Sequence, residues 1–219
     1  MVTDADALVE FFKIAYTELE MSGIVPRYNI APSQPILAVR QSDAGRELVS
    51  FRWGLVPFWS KDPKSGYKMI NARAETVSTK PAYRTAFKHR RCLIPATGFY
   101  EWKLLGERKQ PYHIQSNNHA LMAFAGIWER WKGEKEKIIE SCSIIVTDAN
   151  ETIRTIHDRM PVILSPENHG EWLDLDNANV EQLQNLLRPY SAGLLEAYPI
   201  TTKVNNARNE GPEILARVS

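Results

Sequence analysis

Residues 91–103 read RCLIPATGFYEWK. Cys92-Leu93-Ile94-Pro95 is a continuous apolar run, and Phe99, Tyr100 and Trp102 surround Glu101 in the second half. Apolar residues that cluster and alternate in this way mark half-buried strands and not an amphipathic helix. The strand reading also raises the first functional question, because Glu101 places a carboxylate inside an aromatic wall. Two explanations are open. Glu101 pairs with one of the nearby Arg or Lys side chains, as most partly buried carboxylates do, or the low-dielectric wall raises its pKa so that it exchanges a proton near neutral pH.

Outward from this stretch the chain is punctuated as a β-rich protein. Ile36–Arg40 and Leu48–Trp53 are joined by Ser42-Asp43-Ala44-Gly45, and Phe99–Leu105 and Tyr112–Gln115 by Gly106-Glu107; each pair predicts a hairpin. Leu121–Trp131 and Ser141–Thr147 predict strands on either side of the charged Lys132–Glu140 loop, and Ala197–Val204 predicts a last strand. Thr3 with Asp6 resembles a capping box ahead of Leu8, Phe11, Phe12 and Ala15, which predicts a helix from about Asp4 to Tyr16. Asn150 caps a short helix that ends at His157, Ser165-Pro166 opens another towards Trp172, and Val180–Leu187 is a third. Pro26–Pro32, read PRYNIAP, is a shaped loop, and the aromatic segment Trp53–Trp59, WGLVPFW, is either a core plug or a stacking surface. Short strands, few helices and no βαβ alternation predict an α+β fold, built on a curved, mostly antiparallel, barrel-like sheet with peripheral helices. With no repeat or linker, residues 1–219 are expected to form a single domain, and a monomer.

Apolar residues make up 43% and charged residues 24% of 219, the balance of a soluble globular chain. No apolar run has the length of a membrane span and no signal-peptide pattern opens the chain, so a cytoplasmic, intracellular protein without a membrane partner is expected. Cys92 and Cys142 form no CxxC pair and lie in strand-like runs, which makes them buried small hydrophobes. The histidines at 89, 113, 119, 157 and 169 show no ligand spacing, and no phosphate or dinucleotide loop is present, so neither metal nor cofactor is expected. The net charge of +1 is uneven: Arg84, Lys88, Arg90 and Arg91 form a basic run that is either a phosphate-facing patch or a solvated surface.

Asn71, Glu101 and His157 each stand in apolar-flanked surroundings. Together they provide an amide, a carboxylate and an imidazole, enough to orient a carbonyl, move a proton and assist a leaving group. A nucleophile is missing: there is no GxSxG elbow and no HExxH. An ordinary peptidase acting through Glu101 and His157 is therefore poorly supported.

RYNIAP at 27–32, WGLVPFW at 53–59, NARAET at 71–76, RCLIPATGFYEWK at 91–103, IHDRMPVIL at 156–164 and VNNARNEGPE at 204–213 resemble, in order and spacing, the SOS response-associated peptidase (SRAP) family over nearly the whole chain. The resemblance implies a DNA repair protein with self-processing peptidase activity. Such a protein recognises abasic sites in single-stranded DNA and becomes covalently attached to them. In the family the amine of an N-terminal cysteine condenses with the ring-opened sugar aldehyde, and its thiol then closes a thiazolidine. By motif, Glu101 would carry protons for imine formation and Met removal, His157 would assist ring opening and reversal, and Asn71 would hold the N-terminal residue and sugar in line. Trp59, Arg73, Trp102 and Arg159 match positions that resemble DNA contacts, consistent with stacking by indoles and phosphate binding by Arg forks. The family's chains begin Met-Cys-Gly-Arg, whereas this sequence begins Met1-Val2-Thr3-Asp4. Cys92 has no α-amine and cannot replace the missing cysteine. The expectation is a start carrying that cysteine ahead of the given sequence; the alternative is a single-stranded DNA-binding module that does not cross-link.

Overall fold

The computed structural model describes residues 5–17, 19 and 23–218. Its strands are β1 (Tyr16–Thr17), β2 (Pro35–Ser42), β3 (Gly45–Trp53), β4 (Asn71–Arg73), β5 (Arg91–Ala96), β6 (Gly98–Leu105), β7 (Arg108–Ser116), β8 (Met122–Lys132), β9 (Ile138–Asp148), β10 (Arg159–Pro161), β11 (Ile163–Leu164) and β12 (Leu195–Pro199). The α-helices are α1 (Ala5–Phe12), α2 (Arg84–His89), α3 (Glu151–Arg154), α4 (His169–Leu173) and α5 (Val180–Asn185). In the larger sheet β3, β2, β5, β8 and β9 are successive antiparallel neighbours. β9 then pairs with β3 in parallel, Arg52 opposite Ser141 and Trp53 opposite Cys142, which closes a five-stranded barrel. β6, β7 and β12 form a separate antiparallel sheet in the order β12-β7-β6. This is the α+β, mostly antiparallel, barrel-like architecture expected from the sequence.

Closure explains why the decisive stretch reads as continuously apolar. Every residue of β5 is buried, because both faces of the strand meet protein. Cys92, Ile94 and Ala96 point into the barrel with Ala38, Phe51, Phe124, Cys142 and Ile144. Leu93 points outwards with Val39, Leu48, Ile127 and Ile145, under Leu8 and Phe12 of α1, Phe87 of α2, Trp172 of α4 and Leu183 of α5. One end of the interior is plugged by Arg40. Its guanidinium lies 4.8 Å from the Trp128 ring centroid and 5.8 Å from that of Phe51. It also pairs with Glu47 at 2.8 Å and Glu140 at 3.3 Å.

Both predicted hairpins form on two-residue turns. Ser42 pairs with Gly45, whose φ is +113°, and Leu105 pairs with Arg108 around Gly106 at φ +61°. β7 therefore starts four residues before the predicted Tyr112. The charged loop is likewise shorter than expected, because β8 and β9 stay paired out to Lys132 and Ile138, with Arg130 opposite Glu140. Helix α1 ends at Phe12 and not near Tyr16: Lys13 turns to φ +53°, Ala15 N–H bonds the Arg46 carbonyl, and Tyr16 already belongs to β1. The predicted cap Thr3 and the start at Asp4 lie outside the described residues. The last strand ends at Pro199, not Val204; the Thr201 hydroxyl accepts from Lys203 N–H and opens a 3₁₀ turn instead. Asn150 caps α3 as expected, its Oδ1 accepting from Ile153 N–H at 3.0 Å.

The fold divides the basic run: Arg84 and Lys88 are exposed, whereas the two arginines after them are engaged inside the protein. Arg90 pairs with buried Glu129 at 2.8 Å, and Arg91 is 1% exposed. The Arg91 guanidinium donates to the carbonyls of Trp172, Phe87, Lys88, Asp174 and Asn177, and burial lowers its pKa to about 10. It thereby ties α2, β5 and the segment after α4 together. Arg91→Met should cost about 3–5 kcal/mol, since it removes all of those donors and leaves the buried carbonyls of Phe87 and Trp172 unsatisfied. Urea unfolding with an unchanged m-value checks this. A loss below about 1 kcal/mol would mean that water replaces the guanidinium.

Candidate functional site

The barrel end opposite Arg40 opens into a cavity of about 540 Å³. All six sequence segments singled out above contribute to its wall: Tyr28, Trp53, Asn71, Glu101, Pro161 and Asn205 each represent one of them. Two carboxyl and amide groups bring distant segments together here. Glu210 Oε1 accepts from Arg27 Nε at 3.1 Å and from the backbone N–H groups of Tyr28 at 2.6 Å and Asn29 at 3.2 Å. Burial pushes the Glu210 pKa up, but the N–H groups of Asn29 and Tyr28 and the Arg27 guanidinium outweigh it, leaving the carboxyl below its ordinary value. Buried Asn29 donates from Nδ2 to the carbonyls of Val204 and Asn206, at 3.0 and 3.1 Å. The PRYNIAP loop is thus fixed to the C-terminal segment, and Tyr100 Oη adds a bond to the Tyr28 carbonyl.

Glu101 lies on β6, an edge strand of the smaller sheet, opposite Tyr112. Its side chain is 22% exposed, and its pKa is pushed up to about 7. Burial is the main cause and Asp158 adds to it, while His157 and the Trp102 N–H pull the other way. Of the two explanations for this residue, a neighbouring Arg or Lys pair does not occur among the described residues; its ionic neighbour is His157, with Nδ1 at 3.8 Å from Glu101 Oε2. His157 follows α3, bonded through its backbone N–H to the Ile153 carbonyl. Its Nδ1 also lies 3.2 Å from Asp158 Oδ1 and 3.1 Å from the Arg159 N–H. A neutral ring protonated on Nε2 accepts from that N–H, and a charged ring turns the same edge to the two carboxylates.

Asn71 opens β4 opposite Ile144 of β9, exposes its side chain on the cavity wall and accepts the Tyr83 hydroxyl at its carbonyl, 3.3 Å away. Trp102 also faces the cavity. Its indole packs on Ile200, Val204 and Ile214 and donates to Asn205 Oδ1 at 2.8 Å. Trp59, Arg73 and Arg159 lie outside the lining. Trp59 is exposed on the loop after β3, Arg73 is exposed on β4, and Arg159 on β10 pairs with Glu75 at 2.6 Å and Asp148 at 3.3 Å. Asn71, Glu101 and Trp102 thus share the cavity, with His157 at its rim against Glu101.

Sequence reasoning missed His113. It is 5% exposed in the cavity wall, with Nδ1 3.0 Å from Tyr198 Oη, and burial holds its pKa down to about 4. Its ring leaves room only for glycine at 98, where a Cβ would meet Nε2 at 2.1 Å. Gly98 directly before the aromatic run was the available signal. Cys92 and Cys142 are fully buried, and burial raises both thiol pKa values, so neither is a nucleophile. Among the described residues no group of three or more His, Cys, Asp or Glu could hold a metal, and no helix is long and apolar enough to cross a membrane.

The class of protein is thus a closed mixed barrel with a carboxyl–imidazole pair at the mouth of an aromatic-walled cavity. The profile of the SOS response associated peptidase (SRAP) family matches residues 1–207, and the chain belongs to that family. It is 44% identical over 216 residues to the abasic site processing protein YoqW of Bacillus subtilis (strain 168), covering 98% of this chain and 96% of that one. The abasic site processing protein HMCES of Xenopus tropicalis is 33% identical over 88% of this chain, which spans 66% of that longer protein. An X-ray crystal structure of a protein from Bacteroides thetaiotaomicron superposes with a TM-score of 0.89 at 29% identity, covering 100% of this chain and 98% of that one.

The raised pKa of Glu101 makes a stability prediction. From an ordinary value of 4.5 to about 7, the folded protein holds this proton more tightly than the unfolded chain, so Glu101 makes stability fall as pH rises through that window. Glu101→Gln should therefore unfold at higher urea than the parent by about 1–3 kcal/mol near pH 8, with the gain fading towards pH 4.5. A difference that does not change with pH would remove the raised pKa.

Proposed function

We propose that the protein acts on abasic sites in single-stranded DNA, holding the damaged sugar in the Glu101 cavity and cross-linking to it through an N-terminal cysteine. The observation that carries this reading is the convergence of six separated segments on one cavity, with a carboxyl of raised pKa and an imidazole at its mouth. The names of the relatives agree with it. The cysteine amine adds to the sugar aldehyde; neutral Glu101 protonates the resulting hydroxyl, which leaves as water, and a protonated imine remains. The Glu101 carboxylate then takes the thiol proton as sulfur attacks the imine carbon, and the C=N electron pair returns to the nitrogen, which keeps its proton as the thiazolidine closes. A carboxyl titrating near neutrality can serve both directions, which a carboxylate at 4.5 could not. His157 assists sugar ring opening and reversal, and Asn71 aligns the amine and sugar. Arg73, Arg159, Trp59 and Trp102 take phosphates and bases along the strand. The same carboxyl would serve removal of the initiator Met, the self-processing peptidase activity. In this reading residues 1–219 work as one domain and a monomer, inside the cell and on DNA.

The test is a version led by Met-Cys-Gly-Arg, incubated with abasic single-stranded DNA. A heat-stable adduct on a denaturing gel is expected, together with an intact mass showing loss of the initiator Met. Glu101→Gln should slow adduct formation about 10²–10⁴-fold. A folded Cys-led protein that forms no adduct, yet binds the strand with a steep salt dependence, would reduce the function to DNA binding.

A further inference from the structure

Leu104, at 65%, is the most exposed large hydrophobic side chain among the described residues, and Leu105 beside it is 52% exposed. Both stand at the end of β6, next to the Gly106-Glu107 turn. Successive residues of a strand point to opposite faces of its sheet, so this tip shows one leucine on each side. A partner laid on either face would cover only one of them. A strand laid along the edge of β6 covers both, because its own side chains alternate in the same way.

The edge is open to that pairing. β6 is the outer strand in the order β12-β7-β6, and no described strand lies on its far side. Its pairing with β7 runs one to one from Gly98 opposite Gln115 to Leu105 opposite Arg108, so no bulge breaks it, and residues 98–105 contain no proline. The register also fixes which backbone groups are free. Trp102 stands opposite Pro111, which has no N–H and turns its carbonyl the other way, to Ile200 N–H at 3.0 Å. Trp102 and Pro111 are therefore a non-hydrogen-bonded pair, and by alternation Leu104 points its N–H and C=O away from β7. A long, flat edge of this kind invites pairing with another chain.

Charge selects the partner. Lys103 and Arg108 flank Leu105 on one face, Lys109 lies opposite Leu104 on the other, and Glu107 is the only acid in residues 103–109. A second copy paired edge to edge would bring two such sets of cations together. Residues 103–109 also hold no aromatic ring on which a base could stack. An extended segment with acidic side chains on both faces fits instead.

We propose that the free edge of β6 at residues 103–105 takes an added strand from a partner protein, an extended acidic segment whose backbone pairs with Leu104 and whose carboxylates meet Lys103, Arg108 and Lys109. Glu101 lies on the same strand, so the docked segment borders the cavity mouth. The test is selection of displayed random peptides of eight residues, the length of β6, on the immobilised protein. Enriched sequences should be acidic and rich in β-branched residues, and the tightest of them, once synthesised, should slow amide exchange at Leu104. Leu104→Pro deletes the outward N–H, leaves the β7 ladder whole, and should weaken that peptide about 10-fold. Lys103→Glu combined with Lys109→Glu changes side chains alone and should turn the preference to basic peptides. No enrichment, or binding that survives both variants, overturns the proposal. A dimer in sedimentation that Leu104→Pro dissolves would give the edge to a second copy. Oligothymidylate affinity lost in the charge variant and kept in Leu104→Pro would give the tip to nucleic acid. Either result in place of peptide binding overturns the added strand.

Discussion

The parallel pairing of β3 with β9, two residue pairs long, is the contact on which the rest of the molecule depends. Without it the five strands would be an open sheet with two edges, and the inward residues of β2, β5 and β8 would face water. With it they enclose an interior whose two ends need different solutions. One is filled by Arg40, neutralised by Glu47 and Glu140 and stacked on Trp128, so that charge is tolerated because it is paired and sandwiched. The other is left concave, and segments 27–32 and 204–207 cross it, held by Glu210 and Asn29. Fold and site are therefore one arrangement: the cavity is the barrel mouth that the core does not fill.

That position accounts for the electrostatics. Glu101 and His113 both border the cavity and are both shifted mainly by burial, yet in opposite directions, the acid up to about 7 and the base down to about 4. In each case the neutral form is favoured, as expected where water is displaced by aromatic walls. They differ in their neighbours. His113 meets a phenol, and at neutral pH it is a fixed, uncharged hydrogen-bonding group. Glu101 meets an imidazole whose charged form draws its pKa back down from the value burial alone would set. The result is a carboxyl balanced between two states, which a fully desolvated carboxyl or a fully solvated one would not be.

The parts of this arrangement legible in the sequence were those with local chemistry. Apolar runs and Gly-containing turns gave both hairpins, and Asn150 gave its cap, because each is decided within a few residues. Glu101 stood out because it places a carboxylate between Tyr100 and Trp102 in an apolar run. What was not legible depends on contacts far apart in the chain. Arg91 reads as part of a basic surface and is instead buried among carbonyls from residues 87–88 and 172–177. His113 reads as an ordinary strand residue until Gly98 and Tyr198 are brought against it. The end of α1 was misread for a similar reason: its apolar spacing continues to Ala15, but the Arg46 carbonyl takes the Ala15 N–H into the β3 region.

The segment WGLVPFW shows how one motif can be divided between core and surface. As a sequence it allowed two readings, plug or stacking surface, and the register on β9 separates them residue by residue. Trp53 is still on β3, its indole bonded to the Ile70 carbonyl, and Leu55 and Val56 remain buried, with Val56 N–H on Ser141 Oγ. Beyond Pro57 the chain has left β9, and the next two aromatic residues have no barrel strand to pack on. The hydrogen bonds to Ser60 and the Gly54–Gly66 contact then determine where those rings stand. The pairs that close the barrel thus also fix the base of the exposed aromatic loop, and a shift of this register by one residue would move Trp53 off the cavity wall and Phe58 and Trp59 with it.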